Sequence, residues 1–162
     1  MLARREVHLP REHVGRVIRF GDGTTGRVYR ETRVDRTPVD PCLLVVAFRL
    51  RGVHGRGHAW FRTESLLNTP LFVGFPGFVS KLWLAHDRHG TYRGVYEWDG
   101  AVRAETYARS LWRVLELVSR TGSIAYQVFP GVRRDDVLAD PAVLDAFPPG
   151  QDDAWSRPVE AA

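Results

Sequence analysis

From Phe78 to His86 the chain alternates strictly between two faces: Val79, Lys81, Trp83 and Ala85 on one, and Phe78, Ser80, Leu82 and Leu84 on the other. A period of two predicts a strand. Asp87-Arg88-His89-Gly90 follows, with an Asp that can bond its own backbone and a Gly that tolerates positive φ, so it predicts a tight connection. A second strand is predicted over Thr91 to Asp99, with Tyr92, Gly94, Tyr96 and Trp98 on one face. The connection length lays Trp98 near Val79, Tyr96 near Lys81 and Gly94 near Trp83. In that register Lys81, Trp83, Tyr92, Tyr96 and Trp98 form one polar-aromatic surface, and Gly94 leaves room beside the indole of Trp83.

After Asp99-Gly100 the period changes. Ala104, Ala108, Leu111, Leu115 and Val118 recur at helical spacing, with Arg103, Arg109, Arg113 and Glu116 opposite them. Asp99 is the expected N-cap, and Gly122 the expected stop. Ser123 to Phe129 then predicts a short strand closed by Pro130-Gly131. Upstream, Cys42 to Leu50 is almost continuously apolar, as suits a strand buried on both faces. His58 to Leu67 predicts a helix ended before Pro70. Residues 42–131 thus predict the order β-α-β-β-α-β, an α+β, ferredoxin-like core. With both helices on one face the other face of the sheet is left bare, and a bare apolar face calls for a cover, commonly a second copy.

Two extensions flank residues 42–134. In residues 1–41, Arg16 to Phe20 and Gly26 to Thr32 alternate around Gly21-Asp22-Gly23-Thr24, which predicts a β-hairpin arm with Arg16, Arg19, Arg27 and Arg30 facing solvent. Residues 135–162 predict one short helix at DPAVLDAF and otherwise an irregular, acidic, Pro-containing tail.

The 162 residues, 44% hydrophobic and 26% charged, suit one globular domain with extensions. The charge of +4 is unevenly spread: residues 1–62 carry thirteen Arg against six acids, and residues 135–162 seven acids against one Arg. Neither a recognition-helix pattern nor an RNA-binding aromatic signature accompanies the basic half, so no nucleic-acid partner is expected. No apolar run is long enough for a membrane span, and MLARREVHLP has no apolar stretch of a secretory signal behind it, so the expectation is a cytoplasmic protein without a membrane partner. The single cysteine, Cys42, excludes an internal disulfide and sits in the most apolar strand, as a buried small hydrophobe would. The pairs His54/His58 and His86/His89 lie in a Gly-rich loop and a turn without carboxylate or cysteine companions, so no metal is expected.

The block GFVSKLWLAHDRHGTYRGVYEWDG, followed by AETYARSL, resembles the dimeric α/β-barrel superfamily, and within it the small YdhR-like monooxygenases. Their central block has the form GF-x-SK-x-W, a turn-rich gap, a GG-x-Y-like strand and a helix with an A-x-x-Y element. The resemblance covers residues 42–131 and implies a homodimer of ferredoxin-like units forming a dimeric α/β barrel. It implies a pocket between sheet and helices and oxidation of an apolar aromatic or polyketide-like molecule with no cofactor. Relatives in that superfamily instead cyclise polyketides, degrade haem or have no known activity, and fold transfers better than chemistry.

Cofactor-free oxygenation needs a substrate made electron-rich by deprotonation. Lys81, the chain's only lysine, is the basic side chain that burial can tune to lose its proton. His58 is a second candidate acid–base group. Trp83, Tyr92, Tyr96, Trp98 and Trp60 are candidate substrate-binding aromatics, and Asn68 a candidate orienting amide. Each has a plainer reading: Trp83 and Trp98 as core, Lys81 as a cross-strand partner of Tyr96 near Glu97, Asn68 as a helix cap, Tyr107 and Trp112 as core. Three function classes remain open on these residues: an oxygenating enzyme, a cyclase or rearrangement enzyme of the same fold, and a non-catalytic small-ligand-binding dimeric module.

Overall fold

The computed structural model describes residues 7–49, 75–117, 119–148, 150 and 152–162. The helix expected over His58 to Leu67, and with it His58, Trp60 and Asn68, lies outside the described residues. Among the described residues the architecture is α+β: a strongly curled, eight-stranded antiparallel sheet, a half-barrel with few helices. Its strands are β1 (Val7–His8), β2 (Val17–Phe20), β3 (Thr25–Val34), β4 (Pro41–Arg49), β5 (Phe78–Leu84), β6 (Thr91–Asp99), β7 (Ala125–Pro130) and β8 (Pro158–Ala161). They lie in the order β7-β4-β6-β5-β3-β2-β8, with β1 paired to β3. Helix α1 (Ala101–Leu115) connects β6 to β7.

The apolar run of β4 is placed between β6 and β7, and six of its residues in succession, Cys42 to Ala47, are buried. Its odd and even side chains feed two separate cores. Cys42, Leu44 and Val46 join Phe78, Trp83, Tyr96, Trp98 and the inner stripe of α1 (Ala104, Tyr107, Ala108, Leu115). Leu43 and Val45 join Leu82, Leu84, Val95, Phe129, Ile18, Phe20 and Val28 inside the half-barrel. Cys42 is fully buried there as an apolar filler, and burial pushes its thiol up to about 12.

The expected hairpin forms: Phe20 N donates to Thr24 O (2.9 Å), and Asp22 Oδ1 accepts from Thr24 N and Thr24 Oγ1. It is not a free arm, because β3 continues past the turn and pairs with β5 along its edge. Arg19 and Arg27 face solvent as expected, but Arg16 and Arg30 are half-buried. A bulge at Tyr29 inserts one residue between the Val28–Leu84 and Arg30–Trp83 pairs. One extra residue reverses which face the following side chains take. Arg30 is thereby turned onto the Trp83 side of the sheet.

A second bulge corrects the β5–β6 register at one end. Lys81 pairs with Tyr96 and Trp83 with Gly94, as the spacing predicts, but Trp98 pairs with Phe78 rather than lying by Val79. The irregularity between Phe78 and Ser80 brings Phe78 onto the aromatic face, where its ring meets Trp98 edge-on at 5.6 Å. Asp99 does not cap α1. Its Oδ1 accepts from Val39 N (3.1 Å) and Asp40 N (2.9 Å), tying down the loop before β4, while Gly100 O accepts the first helical bond from Ala104 N.

The tail departs furthest from expectation. A short helical segment forms where one was expected, as a 3₁₀ turn at Pro141–Ala146, but in place of an otherwise irregular tail there are also α2 (Arg134–Ala139), a 3₁₀ turn at Ala154–Ser156, and β8, which pairs with β2. Val137, Leu138 and Leu144 plug the half-barrel against Leu43, Val45 and Val95. The sheet face expected to be bare is therefore packed, at least in part, by the chain's own tail. Among the described residues no helix is long and apolar enough to cross a membrane.

Candidate functional site

Three adjacent strands set two cross-strand rows on the α1 side of the sheet. One row is Thr32, Lys81 and Tyr96; the next is Arg30, Trp83 and Gly94. Lys81 Nζ lies 3.4 Å from the centroid of the Trp83 ring and 4.7 Å from that of Tyr96. The Arg30 guanidinium carbon stands 5.3 Å from the Trp83 centroid. Trp83 Nε1 donates to Thr32 Oγ1 (3.1 Å), which fixes the indole between the two cations' strands.

Lys81 is 8% exposed. Burial, and then repulsion from Arg30, hold its ammonium well below the ordinary lysine range. A cation–π contact is worth about 2 kcal/mol when desolvated, but removing an ammonium from water costs several, so burial shifts the balance toward the neutral amine. Glu97, its neighbour in sequence register, faces the other side of the sheet, where Oε1 accepts from Arg134 N (3.1 Å). The surface is continued by Tyr96, whose hydroxyl bonds that of Tyr107 (3.0 Å). Burial raises both phenols above their usual range, so both stay protonated. The Trp98 ring lies 4.8 Å from that of Tyr107, tilted by 33°, and its buried Nε1 meets no acceptor among the described residues. Tyr92 shares the face but packs elsewhere, with Phe48 (5.8 Å) and His86 (5.5 Å).

The structure thus brings together Lys81, Trp83, Tyr96 and Trp98, leaves Tyr92 at the far end of β6, and does not describe His58, Trp60 or Asn68. Two members were not foreseen as site residues: Arg30, turned inward by its bulge, and Tyr107, assigned to the core yet carrying a polar contact. The room expected beside Trp83 is occupied. A Cβ on Gly94 would lie 2.7 Å from Tyr96 Cε2 and 3.1 Å from Lys81 Cε. Gly94→Ala is therefore expected to destabilise the fold by about 1–3 kcal/mol through overpacking, read by urea denaturation, and to displace Lys81 from Trp83. A neutral effect would show that the two side chains yield freely.

On the opposite face, Arg93 is nearly inaccessible and holds four partners. Nη1 donates to Asp87 Oδ2 (2.8 Å), Nη2 to Thr24 Oγ1 (2.9 Å) and more weakly to Asp22 Oδ2 (3.5 Å), and Nε to Trp155 O (3.1 Å). Burial works to raise the Asp87 carboxyl, but Arg93 together with the amides of Thr91 and His89 outweighs it and leaves it below the usual carboxylate range. This hub forms the floor of a cleft of about 440 Å³ at one end of the half-barrel. The available signal was a pair of charged side chains on one face of β6, Arg93 and Glu97, on either side of Val95.

Comparison of the chain with protein-family models, with curated proteins and with solved structures finds no match.

Proposed function

We propose that the chain is a small-molecule enzyme that deprotonates an apolar phenolic or polyketide-like substrate at Lys81 and oxidises it with molecular oxygen, without a cofactor. The observation that carries the reading is the buried Lys81 amine, laid on Trp83 and kept short of protons by burial and Arg30. A neutral amine takes the phenolic proton, and the resulting phenolate is electron-rich enough to give electrons to oxygen. One oxygen atom then enters the substrate carbon and the other leaves as water with two substrate hydrogens, so the substrate is its own reductant. Tyr96 and Tyr107, both protonated, supply a hydroxyl pair able to hold the phenolate oxygen, and the aromatic rings suit a planar apolar body.

The strand order β7-β4-β6-β5, with α1 crossing between β6 and β7, supports a ferredoxin-like unit in the sense expected from the sequence. Its other crossover would fall in residues 50–77. A second reading, a non-catalytic ligand-binding module, is favoured by the filled space at Gly94 and the close approach of the Trp98 and Tyr107 rings.

Oxygen consumption separates the two. With a panel of polycyclic phenols and anthrone-type ketones, the enzyme reading expects substrate-dependent oxygen uptake with one water released per oxygen molecule. Tight binding of the same compounds without uptake selects the module, and neither binding nor uptake sinks both.

A further inference from the structure

We propose a second binding site, in the cleft at the mouth of the half-barrel, for a small hydroxylated organic anion bearing a phosphate or a carboxylate. The cleft lies on the sheet face opposite Lys81, since Arg93 alternates with Tyr92 and Gly94 along β6. It is independent of the reading given above. Five segments far apart in the chain converge on it: the β2–β3 turn, the end of β4, the β5–β6 turn, the loop at 120–125 and Trp155.

The charges in it have unequal standing. Arg93 is committed, three of its nitrogens being bonded to Asp87, Thr24, Asp22 and the Trp155 carbonyl, so it shapes the floor and offers a ligand little. Arg49 and Arg120 are exposed at the rim. Their backbones are locked together: Arg120 N donates to Arg49 O (2.8 Å), Arg49 N donates to Ser123 Oγ (3.1 Å), and Ser123 Oγ donates to Arg120 O (2.7 Å). Arg49 Nε donates to Thr91 Oγ1 (3.0 Å), which aims the guanidinium along the cleft wall and leaves its two Nη groups for a ligand. Among the described residues the cleft is lined by three Arg against Asp22 and Asp87, and neither Arg49 nor Arg120 has a carboxylate partner there.

Two arginines lining one cleft from adjoining backbone segments can share an oxyanion through charge-assisted, forked hydrogen bonds. The remaining walls combine the polar groups of Asp22, Thr91 and Thr121, which suit hydroxyls, with the apolar surface of Ala47, Ala125 and Trp155, which suits a carbon skeleton. About 440 Å³ is the size of an ordinary small-molecule site and far more than an inorganic ion needs.

Isothermal titration calorimetry tests this with ribose 5-phosphate, gluconate, ribose and inorganic phosphate as probes. Ribose 5-phosphate or gluconate is expected to bind and ribose is not, and the ratio of the two anions says whether phosphate or carboxylate fits better. The double variant Arg49→Gln/Arg120→Gln is expected to weaken binding at least about tenfold, with its circular dichroism and melting temperature unchanged because both side chains are exposed. Lys81→Met is expected to leave the affinity unchanged, which separates this site from the other face. Absence of binding by both organic anions at millimolar concentration overturns the proposal. So does equal affinity in the double variant, or inorganic phosphate binding as tightly as the organic anions.

Discussion

Arg134→Ala is expected to remove about 3–5 kcal/mol of folding stability, a large share of the 5–15 kcal/mol that holds a typical domain together. The guanidinium is 2% exposed, and Nη2 donates to Glu31 Oε1 (2.8 Å), whose own side chain is fully inaccessible. Removing the arginine leaves Glu31 with Arg33 at 3.3 Å, more than a third exposed, and the amide of His13 at 3.3 Å. A buried carboxylate so poorly compensated carries most of its desolvation cost. The loss also loosens α2, which the Arg134–Glu31 pair and the bonds from Arg134 N and Arg133 Nε to Glu97 tether to β3 and β6. Urea denaturation at pH 7 measures the change, and limited proteolysis should show earlier cleavage C-terminal to residue 131. Arg134 Nη1 is itself buried with no acceptor among the described residues, so the pair is an anchor of register more than a net stabiliser. Glu31→Leu/Arg134→Met is thus expected to regain most of the loss. A single-variant loss below about 1 kcal/mol would show that the half-barrel plug is held by its apolar residues alone.

That anchor also shows what kind of information sequence reading captures. The β5–β6 pairing was legible because a period of two and a turn of Asp-Arg-His-Gly specify faces and register locally, and Lys81 opposite Tyr96 follows from counting. The two bulges were not legible: one extra residue at Tyr29 or Val79 leaves the alternation of polar and apolar types almost unchanged, yet turns Arg30 inward and Phe78 onto the aromatic face. The tail misled for a different reason. Its Asp, Pro and Gly content has the composition of an unfolded segment, and the contacts that order it are few and very non-local. Arg134 reaches Glu31 across 103 positions, and Arg93 reaches Trp155 across 62. Such pairs leave only a faint local trace, a charge at a strand position where an apolar residue is expected. The same property hid the cleft, whose two rim arginines are joined through hydrogen bonds between residues more than seventy positions apart. The Lys81–Tyr96 and Trp83–Gly94 pairs were visible because one hairpin builds them; the cleft was not, because five segments build it.

Lys81→Met is expected to abolish oxygen uptake, by about 100-fold or more for loss of a general base, while making the protein more stable at neutral pH. The two effects in opposite directions distinguish a working amine from a packing residue. In the unfolded chain a lysine keeps its proton up to about pH 10.4. In the folded protein burial and Arg30 make it release that proton at lower pH. Across that interval the unfolded state binds more protons, so stability rises with pH. The cost of Lys81 is therefore fully present below its folded value, shrinks as pH rises, and vanishes above the unfolded value. Methionine matches the lysine stem in shape and needs no proton, so the variant should be more stable than the parent at pH 7 and no more stable near pH 11. Subtracting the two denaturation series isolates this one group from the other side chains that titrate in the same range. Arg30→Gln adds a test that a structural role would not pass: with the neighbouring cation gone, Lys81 should hold its proton to higher pH, and the rising limb of the pH–rate profile should move up with it. A Lys81→Met protein that loses stability equally at every pH would mean that the amine is a charged partner in the fold, and the base would have to be sought in another residue.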